Sequence, residues 1–448
     1  MLIKLTLSEI ARACEGELIG PDQEIDTVVT DTRQVSAGCL FVALKGERFD
    51  GHDYAISAMD SGAVGVVSDR DIDVISYVKV SDTTLAYGCI ARLIRNAFAG
   101  PVVCITGSNG KTTVKDWLSQ SLSGKNVLKT HANLNNQIGL PQTLLELDDQ
   151  HEIAVIEAGT SVPGEIERLA NIVSPDVVVL TNASGSHFEG FGNLEGIARE
   201  KGCLISGAEP DAIVILNSDD PFFDYWCGLA HGRQTLSFGF TNAADLYVDD
   251  VVLSAESSTV TLKYRGESIS AVVAGAGKHT VANGMAVVLA MVAVGVRFSS
   301  AVKALMSPIL VSGRLERLRT KNEALLINDC YNASPTSVEA AIDVLAIQPV
   351  EKTWLILGAL GELGEQEGSI HQALGIYAKK KGISCLVCVG PVASIAGISF
   401  RSGGGHAIFC DTHEEAAAVV CTLDKRHAIL VKGSRSAKME NVIEALIK

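Results

Sequence analysis

The chain has 448 residues, 47% of them hydrophobic and only 11 of them proline, enough for roughly two to four cored domains and too apolar for a disordered protein. Its 52 acidic against 37 basic residues give a formal charge of −15, which argues against nucleic acid as a partner. The first residues lack a signal-peptide pattern, the longest apolar run (284–296) is too short to span a bilayer, and 11 irregularly spaced cysteines read as buried thiols, so a cytoplasmic protein without a membrane partner is expected.

Residues 1–100 form the first expected domain. The pattern predicts helices over 8–14, 53–61 and 83–98, with strands near 27–30, 39–44 and 63–67. Gly100-Pro101 marks the boundary. Two polar clusters interrupt the domain: Asp31-Thr32-Arg33, and the 44–52 stretch with Lys45, Gly46, Asp50, Gly51 and His52. Taken alone, both read as solvated loop.

Residues 101–313 repeat strand, loop and helix, as a parallel sheet covered on both faces requires. Strands are expected at 101–105, 153–156, 177–180 and 212–216, each ending in polar residues where open α/β sheets bind ligands. The first runs into Thr106-Gly107-Ser108-Asn109-Gly110-Lys111-Thr112-Thr113, after which the apolar spacing turns helical. The glycines let backbone approach phosphates, the helix N-terminus presents free N–H groups, Lys111 adds a point charge, and the Thr112 hydroxyl suits magnesium. Ile105 stands where the longer phosphate-loop pattern has glycine, so the match is to the shorter Thr-Gly-x-x-Gly-Lys-Thr form, and ATP is the expected ligand.

Glu157, at the end of the second strand, is an expected magnesium ligand, with capping of the next helix as the plainer alternative. Taken singly, His187 reads as a loop histidine and Lys201 as a solvated helix lysine. The 246–273 stretch predicts a small antiparallel insert. The helix opening at Gly277 places His279 and Asn283 on one face.

Ser312-Gly313-Arg314 reads as a hinge into a third domain, 314–448, with strands near 324–327, 353–357, 385–389, 407–409 and 428–431. Cys385 and Cys388 form a CxxC, but on a strand they face opposite ways, which excludes a metal or redox pair. This domain has no second phosphate loop and no dinucleotide fingerprint.

Together these residues resemble the Mur ligase family of ATP-dependent amide-forming enzymes over essentially the whole chain. The resemblance is carried by the phosphate loop, by 133–141 with Asn135 and Asn136, and by 157–166 and 187–192. Gly313-Arg314-Leu315-Glu316, Tyr331-Asn332-Ala333 and 431–440 also carry it. It implies an α/β fold of three domains: a small N-terminal UDP-substrate domain, a central phosphate-loop parallel sheet, and a C-terminal Rossmann-like domain.

It also implies roles. Thr112, Glu157 and His187 would bind magnesium, joined by Lys201 once carbamylated by CO2. His279 and Asn283 would lie at the adenine side, Asp329, Tyr331 and Asn332 along the ATP, and Arg314 on its phosphates when the domains close. Asp31, Thr32, Arg33, Lys45, Gly46, Asp50, Gly51, His52, Asn135 and Asn136 would hold the UDP-substrate. The implied reaction activates the carboxylate of UDP-N-acetylmuramoyl-tripeptide as an acyl phosphate and joins it to D-alanyl-D-alanine, in a monomer. The diamino-acid recognition motif Asp-Asn-Pro-Arg is missing, which favours that reaction over diamino-acid addition. Other ligases of the fold, such as a folylpolyglutamate type, and a noncatalytic nucleotide-sugar binder are the alternatives. Two stretches depart from the family: Ala359-Leu360 where it has Asp-Met, and Asn328, Cys330 and Ser334 where it has Asp, Ser and Asn.

Overall fold

The apolar runs become the strands of three large sheets, beside a two-stranded antiparallel ladder of Leu5–Thr6 with Glu24–Ile25, in the computed structural model, which describes every residue except 47, 186–187, 308–310 and 448. The first sheet has five strands, in the order Glu17–Ile19, Tyr77–Lys79, Gly65–Ser68, Cys39–Val42 and Thr27–Val29. All neighbours are parallel except the first pair. Helix Thr83–Ala97 follows, its N-terminus capped by Asp82, and one apolar cluster runs from this unit into the next. Buried Arg95 fastens the two by donating to the carbonyls of Val173 and Ser174 and to Asp176 Oδ2 at 2.9 Å.

The second sheet has nine strands. From one edge they are Glu267–Ala274, Ser257–Tyr264, Leu246–Leu253, Gln234–Gly239, Ile213–Asn217, Val177–Leu180, Val102–Thr106, Ile153–Glu157 and Val127–Lys129. Six of these, from Gln234–Gly239 to Val127–Lys129, are parallel and were mostly expected. The stretch expected to be a separate antiparallel insert is instead an extension of the same sheet. Leu246–Leu253 pairs in parallel with Gln234–Gly239, and the next two strands continue antiparallel. The reason is the alternating strand Gln234–Gly239, missed in the sequence, which carries hydrogen bonding outward to that stretch.

Strand Val102–Thr106 lies between Ile153–Glu157 on one side and Val177–Leu180 on the other. The chain leaves this strand first toward one edge and later toward the other, so a crevice opens at its C-terminal end. The phosphate loop fills that position.

The third sheet runs Glu316–Arg319, Leu325–Asp329, His427–Lys432, Lys352–Leu357, Cys385–Val389 and His406–Cys410, parallel apart from the first strand. Cys388 packs in the core on one face of it and Cys385 in the core on the other, as a strand requires. All 11 thiols are free, but only six are buried, and Cys421 is exposed. The expectation of uniformly buried cysteines is corrected accordingly.

Candidate active site

The phosphate loop is held from both flanks. Gly107 (φ 149°) lies so close to strand Val177–Leu180 that a side-chain carbon there would come within 1.9 Å of Thr181 Oγ1. Gly110 (φ 86°) would likewise strike Asn283 Oδ1 at 2.4 Å. Asn283 therefore packs on the turn from its own helix, Lys278–Ala293. Thr181 Oγ1 donates to the Asn109 carbonyl at 2.6 Å, and Asn182 both donates to that carbonyl and accepts from the Asn109 N–H. Thr181 and Asn182 were read only as a polar strand end, yet they fix the loop's shape.

Helix Lys111–Ser121 starts at the loop with Gly110 as its cap. The Lys111 ammonium folds back to donate to Gly107 O at 2.6 Å and Ser108 O at 3.4 Å. Burial pushes Lys111 below the ordinary lysine range; Glu157 opposes this and Arg314 adds to it.

Glu157 does not cap the following helix. It ends its strand at 2% exposure, its Oε1 accepts from Asn135 Nδ2 at 2.8 Å, and its N–H donates to Thr130 Oγ1. Its other oxygen, Oε2, is buried without a hydrogen-bond partner.

Lys201, on helix Leu194–Ser206, is not the solvated lysine its sequence suggests: it is 2% exposed. Burial, then the Lys111 charge, pushes its amine well below the usual lysine range, which raises the share of neutral amine. Its neighbour Glu200 accepts from the backbone N–H groups of Gly164 and Ile166, pinning the 160–166 segment. His187 lies outside the described residues.

The third domain closes the cleft. Arg314 Nη2 donates to Thr112 Oγ1 at 3.1 Å, and its guanidinium stacks 4.3 Å from the Tyr331 ring centre. Arg314 Nε is buried without a partner. Asp329 accepts from the Leu315 N–H and from Lys432 Nζ, which also donates to the Asn332 carbonyl. Lys432 stands at the end of an apolar run, the signal that marked Glu157, but it was not singled out. Asn328, one of the family departures, donates to Glu316 Oε2 at 2.9 Å, as does the Gly313 N–H at 3.0 Å, which locks the hinge turn. At the loop tip, Asn109 bonds Ser334 and Thr336, the N-terminal residues of helix Pro335–Ala346, and Thr336 reaches Ser184.

These groups line one cleft of about 1530 Å³, with Ser108 to Thr113, Asn135, Glu157, His279, Asn283, Arg314, Asp329, Tyr331 and Asn332 on its walls. Burial holds the His279 imidazole below its usual range, hence neutral. Gly107 underlies the loop, while Lys201 and Asn136 are not on the wall; Asn136 Oδ1 accepts the N–H groups of Ile138 and Gly139.

The N-terminal residues lie away from this cleft. Asp31 caps the turn Thr32–Gln34 and clasps the Arg33 guanidinium, which holds its carboxyl down at about 2. The Arg33 side chain is 88% exposed. Buried His52 bonds Asp50 Oδ1 through Nδ1 at 2.6 Å and accepts the Asp69 backbone N–H on Nε2 at 3.3 Å, while Lys45 bridges Asp50 through the backbone and Gly51 packs on Leu44. Gly46 lies under the Phe49 ring.

The chain matches three family models: the Mur ligase catalytic domain over 24–92, the Mur ligase middle domain over 105–291, and the Mur ligase glutamate ligase domain over 313–435. It is 37% identical to the UDP-N-acetylmuramoyl-tripeptide–D-alanyl-D-alanine ligase of Escherichia coli, with 99% of each chain covered. The chain belongs to the Mur ligase family. The same-named ligase of Bacillus subtilis is 34% identical, covering 100% of this chain and 99% of the other. Among solved structures, MurF from Acinetobacter baumannii superposes with a TM-score of 0.91 at 33% identity and 99% coverage of both chains. MurF from Thermotoga maritima, solved with ADP, gives 0.84 at 30% identity over 94% of this chain and 96% of that one. A folylpolyglutamate synthase from Mycobacterium tuberculosis, 16% identical with a TM-score of 0.62 over 81% of this chain and 94% of that one, shares the Mur ligase fold alone. Among the described residues, no helix is long and apolar enough to cross a membrane.

Proposed function

We propose that this chain is an ADP-forming ligase that joins D-alanyl-D-alanine to UDP-N-acetylmuramoyl-tripeptide, completing a cytoplasmic peptidoglycan precursor. The observation that carries the reading is the facing of Lys111, Glu157 and Arg314 across one cleft in a chain similar along its length to ligases of that name. The terminal carboxylate of the tripeptide attacks the γ-phosphorus of ATP; a carboxyl–phosphorus bond forms, the bond to the β-phosphate oxygen breaks, and ADP leaves. The neutral amine of the dipeptide then attacks the acyl carbon and inorganic phosphate departs. Lys111 and Arg314 spread the charge that develops on the transferred group, and the loop N–H groups position it. Domain contacts through Asn109, Ser334 and Thr336 exclude water from the acyl phosphate.

Among the described residues, no three His, Cys, Asp or Glu side chains converge as a ready metal cage. Magnesium nonetheless fits, because the partnerless Glu157 Oε2 and the Thr112 hydroxyl are hard oxygen donors and the ion needs only one or two carboxylates beside phosphates and water. Thr112 and Glu157 would hold it, with His187 and carbamylated Lys201, and when bound it neutralises phosphate charge. The depressed Lys201 amine supports carbamylation, since only the neutral form attacks CO2.

The N-terminal clusters around Arg33 and His52 take the UDP portion, and the protein acts as a monomer. The test is ADP release with UDP-N-acetylmuramoyl-tripeptide, with and without D-alanyl-D-alanine. Turnover that needs both substrates, and that Lys111→Ala abolishes in a folded protein, is expected. Release independent of the dipeptide would overturn the assignment.

A further inference from the structure

One charged side chain inside the phosphate-loop helix has no part in the scheme above. Lys115 lies one turn beyond Lys111 and is 1% exposed. Its Nζ stands 3.9 Å from Glu157 Oε2 and 3.7 Å from Asp116 Oδ1. Asp116 is already shared, because Lys129 Nζ, from the edge strand Val127–Lys129, reaches the same oxygen at 2.9 Å. The Glu157 oxygen that faces Lys115 is the one left without a hydrogen bond, while its twin is held by Asn135.

The separation is too long for a hydrogen bond, yet between two groups withdrawn from water the attraction remains strong. Burying an ammonium is unfavourable unless its charge is matched. Its helix neighbours Val114, Trp117 and Leu118 are apolar core, so packing alone would be served by an apolar residue of the same length.

We propose that Lys115 is a positioning residue, a resident countercharge that holds the Glu157 carboxylate in place before a divalent cation arrives. Because it stands near the oxygen that would bind the cation, it also weakens the site for a bare ion. The cation is then held firmly only when nucleotide phosphates add their own negative charge. The inference rests on the reading of Glu157 as a cation ligand.

Manganese alone, titrated into the full chain without nucleotide and followed by the loss of the free-ion paramagnetic resonance signal, tests it. Lys115→Met keeps the length of the side chain and removes its charge. The variant should bind Mn2+ roughly tenfold more tightly than the parent, since a buried cation no longer opposes it. Its melting temperature without metal should fall, and Mn2+ should restore most of the loss. Adding Glu157→Gln should remove the tightened binding. A purely structural lysine would lower the melting temperature equally with and without Mn2+ and leave the affinity unchanged, which overturns the proposal. If Glu157→Gln binds Mn2+ as the parent does, the cation reading fails and the Lys115 role with it. If Glu157→Gln abolishes binding while Lys115→Met changes nothing, only the Lys115 role fails. Should Lys115→Met not fold, Lys115→Gln carries the same comparison.

Discussion

Arg314 Nη2 donates a 3.1 Å hydrogen bond to Thr112 Oγ1, so the last residue of the hinge touches the hydroxyl that follows the phosphate-loop lysine. The sequence led us to expect this arginine at the phosphates on closure. The structure has it across the cleft already, stacked on Tyr331 with a free Nε. Arg314→Ala should lower kcat by roughly a hundredfold, the usual loss when one donor to developing charge is removed. The KM for ATP should change little, since the donor serves the transition state more than the ground state. Steady-state kinetics with saturating co-substrates measure both; a KM effect with unchanged kcat would make Arg314 a simple binding group.

Lys201 should act only as a carbamate. Lys201→Ala is expected to be nearly inactive and to recover part of its rate with a short carboxylic acid, which supplies the missing oxygens. Activity assays with and without added acid decide the matter, and full activity of the unrescued variant would exclude the role.

The Asp329–Lys432 pair joins two adjacent strands of the third sheet, where the residues are register partners. Lys432→Met leaves a buried carboxylate without its cation and should cost about 3–5 kcal/mol of stability. Asp329→Asn combined with Lys432→Met should recover much of that loss. Denaturant unfolding of the single and double variants measures the difference.

The depressed His279 gives stability a definite pH dependence. The folded protein favours the neutral imidazole, so between the depressed value and the ordinary 6.5 the unfolded chain binds the extra proton. The contribution is therefore fully present above pH 6.5 and is lost as pH falls through the folded value. His279→Gln should flatten this part of the stability–pH curve, as thermal melts from pH 7.5 down to 5 would show.

Arg33 is expected to serve the UDP-substrate alone. It is exposed, clasped to Asp31 and away from the ATP cleft. A lost charge-assisted contact costs about 1.5–3 kcal/mol, or roughly ten- to a hundredfold in affinity. Arg33→Ala should raise the KM for UDP-N-acetylmuramoyl-tripeptide by that factor and leave those for ATP and dipeptide unchanged. A raised KM for ATP would return the cluster to the status of a surface loop.

What was legible in the sequence was whatever local chemistry imposes. The phosphate loop could be read because a strand, two glycines at positive φ, a lysine and a helix start follow without interruption. Glu157 could be read because a carboxylate after four apolar residues must sit at a strand end. Lys115 could not, and Lys201 only through the family resemblance: on a helix, a lysine beside polar neighbours looks solvated, and only tertiary packing buries it. Short strands such as Val127–Lys129 escaped for a similar reason. Their identity comes from the neighbour they pair with rather than from their own pattern.

The contact between the loop tip and the third domain is made by one amide and three hydroxyls, those of Asn109, Ser184, Ser334 and Thr336. Neutral hydrogen bonds of this kind contribute about 0.5–1.5 kcal/mol each, and dissolved salt does not screen them. The loop tip is thus fastened by groups that ignore the ionic medium, while the exposed Arg317–Glu256 ion pair, at 3.0 Å between the same two domains, responds to it. Raising the ionic strength should slow the capture of the anionic substrates and loosen the ion pair at the rim, while the hydrogen bonds at the loop tip keep their strength.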